Sequence, residues 1–513
     1  MTSSGDSPRS RRRWTAWLAV ALLAGLSAAA VFVTASQGWT LWYGDAEAHL
    51  NIARRLLDAR EPGYEQIGTV WLPLPHVLMA PWVRDDAMWH SGMGGVIPVA
   101  VCYVLGGLLT FLGMRRIFEC EAAGWAALAA WALNPNLLYL QSAPMTEPIA
   151  LCAFAGMVWA LANVKDGGSR WAAAAGVFTL MGTLTRYEFW FLIPVVTAAV
   201  LWVSKRRLRD ALIVGAIASA GPLYWLAHNW ILFSNPLEFY NGYWSAKAIY
   251  QRARDGGMAP YPGEHDWAVA LEYVLAAARL CLGWPLALLS IAGAAAAIWK
   301  RAWVALAVCA ALPAFYVMSL YSSGTPIFVP HLWPNTHYNT RYGMAAMPLA
   351  ALALAALAAA VPARWRGWAA GVLAAVVISP WLIQPGPESW ICWKESKVNS
   401  EGRRAWTKEA AEYLAPRYKA GEGIFTSFGD LSGILRTARI PLREGFHEVE
   451  RPPWLAAAMR PETLLKEDWA IAYSGDKVSK AMHRLSRGPR RFECVRMYAV
   501  KGSPVVEIWR HIQ

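Results

Sequence analysis

Two acidic side chains follow the first apolar run of the chain, with a histidine and two arginines close behind. They are Asp45, Glu47, His49, Arg54 and Arg55 of the stretch WYGDAEAHLNIARRLLD. Asp45 and His49 are four residues apart, so on a helix they share one face. A carboxylate can accept the proton of a hydroxyl, and arginines can bind a phosphate through paired hydrogen bonds. This stretch therefore predicts acid–base chemistry on a hydroxyl beside an anionic group.

Further ionisable residues lie in segments between later apolar runs. Glu147 is the first residue of one such run. A carboxylate at this position also has a purely structural explanation, because the helix N-terminus stabilises a negative charge. The short turn LTRYEFW carries Arg186 and Glu188, which are costly at a membrane surface unless they are paired or functional. The remaining candidates lie on two longer loops and are Lys247, His331, His337 and Arg341.

The composition indicates that these residues belong to a membrane protein. Hydrophobic residues make up 56% of the chain and charged residues only 16%, and apolar runs of about 20 residues, the length of a membrane-spanning helix, recur. The net charge of +13 resides largely in short basic clusters between these runs, which mark the cytoplasmic side rather than a nucleic-acid interface. We predict eleven transmembrane helices, at 14–36, 92–114, 124–140, 147–163, 171–186, 189–203, 211–233, 268–299, 302–321, 342–361 and 368–385.

The basic clusters also predict the orientation of the chain. If the first span is an uncleaved anchor with a cytoplasmic N-terminus, alternate threading places these clusters inside. The first loop, 37–90, and the C-terminal segment then lie outside. We predict a transmembrane catalytic domain at 1–385 and an extracytoplasmic α/β domain at 386–513, where strand and helix patterns alternate. The composition favours a bacterial cytoplasmic membrane, with a periplasmic outer side.

Two of the seven cysteines, Cys392 and Cys494, lie in the predicted outer domain. An oxidising compartment permits a disulfide between them, but the sequence does not give their separation, so two unpaired thiols fit equally well. No CxxC or His–Cys spacing typical of a zinc site occurs in the sequence.

In their order and common side of the membrane, these motifs resemble a known family. Asp45-Ala46-Glu47 is similar to the DxD-type motif in the first external loop of the GT-C class of integral membrane glycosyltransferases. The resemblance is to the branch with protein O-mannosyltransferases and the lipid A aminoarabinose transferase, and it is strongest over about 37–240. The other similar motifs are MTEP at 145–148, LTRYE at 184–188, NPLEF at 235–239 and RYGMAAMP at 341–348.

The resemblance implies an α-helical polytopic enzyme that transfers a hexose or pentose from a polyprenyl phosphate to an acceptor hydroxyl, with inversion. Asp45 would act as the general base, with Glu47 or Glu147 in support. Contacts to the donor phosphate and substrate would come from Arg54, Arg55, Arg186, Glu188, Lys247, His337 and Arg341. A divalent metal ion on Asp45, Glu47 and His49 stays open, as does the choice of a lipid, glycan or protein acceptor.

Other classes of membrane protein share some of these features. They are a transporter or flippase of a lipid-linked saccharide, a glycan ligase or polymerase, and a non-catalytic scaffold. Transporters usually carry broken or polar segments at mid-membrane and often an internal repeat. Here the ionisable residues lie mostly at the outer ends of the predicted spans and no repeat is found, so the acidic pair favours the transferase.

Overall fold

A computed structural model describes residues 8–450, 452–487 and 491–512, with side chains from residue 13 onwards. Most of the chain is helical. The α-helices in chain order are α1 (Pro8–Ser36), α2 (Gly44–Arg55), α3 (Leu74–Val83), α4 (Asp86–Ser91), α5 (Met93–Phe118), α6 (Glu121–Ala132), α7 (Pro135–Leu140), α8 (Glu147–Gly167), α9 (Ser169–Thr183), α10 (Glu188–Val203), α11 (Arg207–Phe233), α12 (Glu238–Asn241), α13 (Ala246–Asp255), α14 (Trp267–Leu282), α15 (Trp284–Trp299), α16 (Trp303–Tyr321), α17 (Met347–Ala360), α18 (Arg366–Ile383), α19 (Ile391–Leu414), α20 (Ser432–Thr437), α21 (Pro453–Met459), α22 (Pro461–Leu464) and α23 (Lys477–Leu485).

Short 3-10 helices and five strands complete the secondary structure of the described residues. The 3-10 helices are Tyr64–Ile67, Thr340–Ala346, Ala363–Trp365, Pro387–Ser389 and Leu442–Glu444. The strands are β1 (Ile424–Thr426), β2 (Gly445–Phe446), β3 (Trp469–Tyr473), β4 (Phe492–Tyr498) and β5 (Val506–His511).

Seven helical segments of the described chain are long and apolar enough to cross a membrane. They comprise α1, α5, α8, α11, α16, α17 with the 3-10 turn before it, and α18. An eighth arises if α14 and α15, bent by 113° where they meet, form one broken span. Gly283 lies at this bend with a φ of 79°, a conformation that glycine adopts without strain. The protein is therefore an integral membrane protein.

Three of the eleven predicted spans correspond to shorter helices. The predicted span 124–140 is divided into the 12-residue α6 and the 6-residue α7, because Asn134 caps α7 with its side chain and Pro135 opens it. The other two are the 15-residue α9 and the 16-residue α10. Fifteen residues rise only about 22 Å, short of a hydrocarbon core of about 30 Å. The count of eleven thus stays a prediction.

The chain divides into two compact units. The first consists of the chain up to Gly38, Leu72–Pro75 and Val99–Glu395, and the second of Trp39–Trp71, His76–Pro98 and the chain from Ser396. Most of the predicted first external loop therefore belongs to the same unit as the C-terminal segment, whereas the sequence predicts that this segment forms a separate domain.

Small residues let the helices of the first unit approach closely. Nearly every residue of α17, MPLAALALAALAAA, is buried. A Cβ on Gly293 of α15 would lie 2.4 Å from the carbonyl oxygen of Ala353, so these two helices are in backbone contact. This is the close packing that small residues permit between membrane helices.

The second unit contains α2 and a mixed five-stranded sheet of order β2-β1-β3-β5-β4. Strand β1 runs parallel to β2 and β3, whereas β5 is antiparallel to β3 and β4. The register of the sheet places Ile424 of β1 opposite Trp469 of β3, and Trp469 opposite Arg510 of β5. An apolar core that includes Phe425 and Trp454 packs against this sheet. The second unit, to which α2 belongs, therefore has a hydrophobic core of its own.

Candidate functional site

The acidic pair lies in the first turn of α2, in the second unit. A carboxylate is favoured there because the first helical N–H groups carry a partial positive charge. Ala46, Leu50 and Ala53 bury the inner face of the helix completely. Asp45 stays half-buried, whereas Glu47 points inwards and is buried. Asp45 can therefore meet a substrate, and Glu47 cannot do so in this arrangement.

Glu47 is held by cations and an amide. Arg436 of α20 donates from Nε to Oε1 at 2.7 Å and from Nη2 to Oε2 at 3.0 Å. Asn51 donates to Oε1 at 3.0 Å, and Nη1 of Arg403 lies 3.9 Å from Oε2. Burial alone raises the pKa of this carboxyl, but Arg436 and Arg403 hold the pKa of Glu47 below its ordinary value. Glu47 is thus an ionised carboxylate, held by hydrogen bonds and ion pairs, that can orient its helix.

His49 lies in the interior of the second unit. Its Nδ1 is 3.0 Å from Nε2 of His76, and its ring packs edge-on against Trp71. The described part of the chain holds no group of three or more His, Cys, Asp or Glu side chains that could bind a metal ion. Asp45, Glu47 and His49 are therefore not arranged as a metal-binding group in the described part of the chain.

Arg54 is enclosed by acidic and carbonyl partners. It lies 3.0 Å from Asp58 and 2.6 Å from Asp86, and it also donates to the carbonyl oxygens of Val83 and Arg84. With these partners Arg54 fixes the C-terminal end of α2. Its predicted role in phosphate binding stays a prediction that this enclosure does not favour.

Arg55 is buried beside an aromatic ring. It donates from Nε to the carbonyl oxygen of Gln66 at 2.7 Å, and its guanidinium lies 4.0 Å from the ring centroid of Phe428. Burial lowers the pKa of Arg55 to about 9. Like Arg54, it has little access to a bound phosphate.

The first unit holds a second cluster of ion pairs, at helix ends. Glu147, the first residue of α8, accepts from Nη1 of Arg186 at 3.1 Å and from Nε of Arg341 at 3.0 Å. Arg186 also donates to Glu188, the first residue of α10, at 2.5 Å. Arg341 donates to Glu395 from Nη1 at 2.8 Å and from its backbone N–H at 3.2 Å. The structure thus brings four predicted site residues together.

The sequence alone does not identify Glu395 as a site residue. It lies in α19, in a polar helical pattern that begins shortly after the last predicted span, and nothing local distinguishes it from a solvated residue. Burial raises the pKa of Glu395, against the effect of Arg341. With three carboxylates and two guanidinium groups, the fully ionised network has a formal charge of −1.

A tyrosine and a small cavity complete this network. The hydroxyl of Tyr316 accepts from Nη2 of Arg186 at 3.0 Å and donates to Glu188 at 2.9 Å. The cavity that Glu147, Arg186 and Arg341 line has a volume of about 20 Å³, close to that of a single water molecule. Oε2 of Glu147 is buried without a hydrogen-bond partner among the described residues, so this oxygen can still accept a proton donor.

Lys247 and His337 lie in the segments that connect the long helices of the first unit. Lys247 is exposed on α13, with its ammonium 4.5 Å from the ring centroid of Tyr240. In the preceding α12, Phe239 stacks on Tyr187 at 5.2 Å, which places this loop at the same end of the unit as Arg186. Burial and the charge of Lys394 lower the pKa of the half-buried His337. Lys247 is thus accessible to an anionic ligand.

All seven cysteines are free thiols in the structure. Cys392 is buried in the first unit, where its N–H donates to Oδ1 of Asn136 at 2.9 Å. The disulfide between Cys392 and Cys494, which the sequence left open, is therefore absent from this structure.

Comparison with solved structures identifies the class of fold, which is that of the GT-C membrane glycosyltransferases. The similar structures include ArnT from Cupriavidus metallidurans bound to undecaprenyl phosphate, at 14% identity and a TM-score of 0.55 over 93% of this chain and 97% of that chain. ArnT in the apo state gives 15% identity and a TM-score of 0.54 over the same shares. The Archaeoglobus fulgidus oligosaccharyltransferase in the apo form gives 12% identity and a TM-score of 0.47, over 89% of this chain and 69% of that chain.

No protein-family model and no curated protein sequence matches the chain. The likeness to ArnT establishes the fold, and at that level it confirms the resemblance that the motifs predicted.

Proposed function

We propose that this protein is a membrane glycosyltransferase that moves a sugar from a polyprenyl phosphate to an acceptor hydroxyl at the extracytoplasmic face, with inversion. The observation that carries the proposal is the half-buried carboxylate of Asp45, in the first turn of a helix that follows the first span, on a GT-C fold. ArnT, which has this fold, was solved bound to undecaprenyl phosphate. A ligand of that chemistry suits the donor proposed here.

In the proposed reaction, Asp45 accepts the proton of the acceptor hydroxyl as its oxygen forms a bond to the anomeric carbon. The bond between that carbon and the phosphate oxygen breaks, and its electron pair leaves with the polyprenyl phosphate. The products are the glycosylated acceptor, polyprenyl phosphate and a protonated Asp45, which releases its proton to solvent. The leaving group therefore needs positive charge rather than a proton donor.

Among the predicted cations, the exposed Lys247 is best suited to bind this phosphate. Arg186 and Arg341 already bind Glu147, Glu188 and Glu395, so a phosphate would compete with these carboxylates for the two guanidinium groups. In this proposal the buried Glu147 supports the site through its ion pairs with Arg186 and Arg341. In this proposal Arg54, Arg55 and His337 support the surrounding loops.

The finer topology belongs to the same proposal. We propose eleven spans, a cytoplasmic N-terminus, a bacterial inner membrane and an outer α/β domain at 386–513. The basic clusters between apolar runs support this orientation, and the mixed sheet supports the last assignment.

The test compares wild type with Asp45→Asn in nanodiscs, with a panel of radiolabelled polyprenyl-phosphate sugars and a membrane extract as the acceptor source. Loss of a positioned general base costs about 10²–10⁴ in rate, so we expect label to move into an acceptor with wild type and scarcely with the variant. Asp85→Asn is the matched control, because Asp85 is exposed and caps α4, and asparagine caps equally well.

Two outcomes would contradict the proposal. Wild-type turnover by Asp45→Asn would make Asp45 a structural residue. Absence of transfer from every donor, with lipid-linked saccharide crossing the bilayer instead, would indicate a flippase.

A further inference from the structure

We infer that the C-terminal segment holds Asp45 in its working position through an arginine clamp on Glu47, with Arg436 as the positioning residue. The inference rests on the proposed function, in which Asp45 is the base. It assigns the segment from Ser396 onwards to the catalytic apparatus, beyond any part it has in recognising an acceptor.

The clamp fixes both oxygens of one carboxylate. The two hydrogen bonds from Arg436, at 2.7 Å and 3.0 Å, form a bidentate pair with Glu47, and this geometry defines the plane of the carboxylate as well as its position. Arg436 is itself held, because its Nη1 donates to the carbonyl oxygen of His90 at 2.6 Å and its own carbonyl oxygen lies 2.9 Å from Nδ1 of His90. The guanidinium of Arg436 is therefore held in a defined position within the second unit.

A second arginine fixes the chain just before α2. Nη2 of Arg403 contacts the carbonyl oxygens of Leu41 at 3.0 Å and Trp42 at 2.7 Å. The same guanidinium approaches Glu47. Attachments to the C-terminal segment thus lie on both sides of Asp45 along the chain. Because the helical backbone between them is stiff, they determine where the carboxylate of Asp45 projects.

Helix α20 packs directly against the clamped carboxylate. A Cβ on Gly433 would lie 3.4 Å from Cδ of Glu47, which is an ordinary van der Waals contact. Asp430, at the start of the same turn, lies next to Gly44 and 3.8 Å from Nε of Arg403. The turn at 430–436 therefore adds one further carboxylate beside the acidic pair.

Stability alone does not account for such a pair. Two buried charges are often no more stabilising than a well-packed apolar pair, because desolvation offsets their attraction. What the ion pair adds is a defined geometry. Near a reacting centre, a displacement of about 1 Å can lower the rate about 10²-fold, so a defined position for Asp45 has a large effect on turnover.

The test uses the full-length protein in nanodiscs, with Arg436→Lys and Arg436→Gln. Lysine keeps the charge but cannot form the bidentate pair. We expect kcat to fall about 10- to 100-fold in Arg436→Lys, while the KM for the lipid donor stays within about twofold because donor contacts are untouched. Arg443→Gln is the matched control, since this arginine lies in the same segment and is itself 59% exposed, and its buried partner Asp58 keeps the ion pair with Arg54 when Arg443 is removed.

Charge exchange and amide hydrogen exchange separate positioning from mere stabilisation. The doubly reversed variant Glu47→Arg/Arg436→Glu should recover part of the activity that Arg436→Gln loses. Exchange of the amides in residues 41–55 should accelerate in Arg436→Gln and remain unchanged in Arg443→Gln, whether or not transfer is detected.

The outcomes distinguish the clamp from the reaction. Unchanged exchange at 41–55 in Arg436→Gln overturns the clamp, even where Asp45→Asn abolishes transfer. Faster exchange with wild-type kcat overturns the positioning role but leaves the base in place. Faster exchange together with no transfer by wild type supports the clamp as structure and refutes the proposed function.

Discussion

Arg341→Met tests how the ion-pair network of the first unit is stabilised. Arg341 is 6% exposed and binds Glu147 at 3.0 Å and Glu395 at 2.8 Å. Its removal leaves Glu395, which is 1% exposed, as a buried carboxylate without its cation. Removing one partner of a buried pair costs about 3–5 kcal/mol, mainly because the remaining charge is uncompensated. We therefore expect a loss of about this size in the free energy of unfolding.

A second variant identifies the origin of that loss. Arg341→Met/Glu395→Gln removes the orphaned charge together with the cation. Coupling between contacting residues amounts to about 0.5–3 kcal/mol, so the double variant should be more stable than Arg341→Met by an amount in this range. Unfolding in mixed micelles, followed by tryptophan fluorescence, gives these differences.

The control removes an arginine from a solvent-exposed ion pair. Arg484 lies 3.9 Å from Glu462, with both side chains more than two-fifths exposed, and exposed pairs contribute about 0–1 kcal/mol. Arg484→Met should therefore change stability little. A double variant at Arg341 and Glu395 that is less stable than Arg341→Met alone would refute the view that the uncompensated carboxylate is the main cost.

Two further predictions concern a close backbone approach and a titration. Gly343→Ala would place a Cβ 2.3 Å from the carbonyl carbon of Ala277, so we expect the free energy of unfolding to fall by about 1–3 kcal/mol. Thermal unfolding measures this loss. Gly371→Ala is the control, because a Cβ there would meet no neighbouring atom within 4 Å. Burial raises the pKa of Glu450 from its ordinary value of 4.5 to about 7. The stability from this group is then present below pH 4.5 and is lost as the pH rises through about 7. Glu450→Gln should remove that loss, seen as a flatter unfolding free energy between about pH 5 and pH 8.

Each of these predictions has a clear contrary result. Equal melting temperatures for the alanine variants at Gly343 and Gly371 would show that the helices there separate at no cost. An unchanged pH slope in Glu450→Gln would assign the titration to another group.

The amino-acid sequence by itself predicted an integral membrane protein and the segments that are proposed to carry its chemistry. Apolar runs of bilayer length, basic clusters between them and an acidic pair after the first run are local patterns, and local patterns are readable without a fold. The GT-C likeness found for the fold agrees with the family resemblance that those motifs predicted. The candidate carboxylate Asp45 follows from the same local evidence.

The path of the chain through the bilayer depends on single backbone positions. The apolar runs 124–140 and 268–299 are each predicted as one span, yet the first is interrupted at Asn134 and the second bends by 113° near Gly283. A window of about 20 residues averages over such positions, so it measures apolar length and misses the break.

Only the tertiary structure decided which charges are paired. Glu47 binds Arg436, 389 residues away, and Glu147 binds Arg341, 194 residues away. Arg54, which lies beside the acidic pair in the sequence, is instead enclosed by partners of its own. Residue type and spacing indicate which side chains can carry charge or protons. Which of them remain accessible depends on packing between distant segments. A buried charge needs a partner of opposite charge, and only the fold determines which residue is close enough to be that partner.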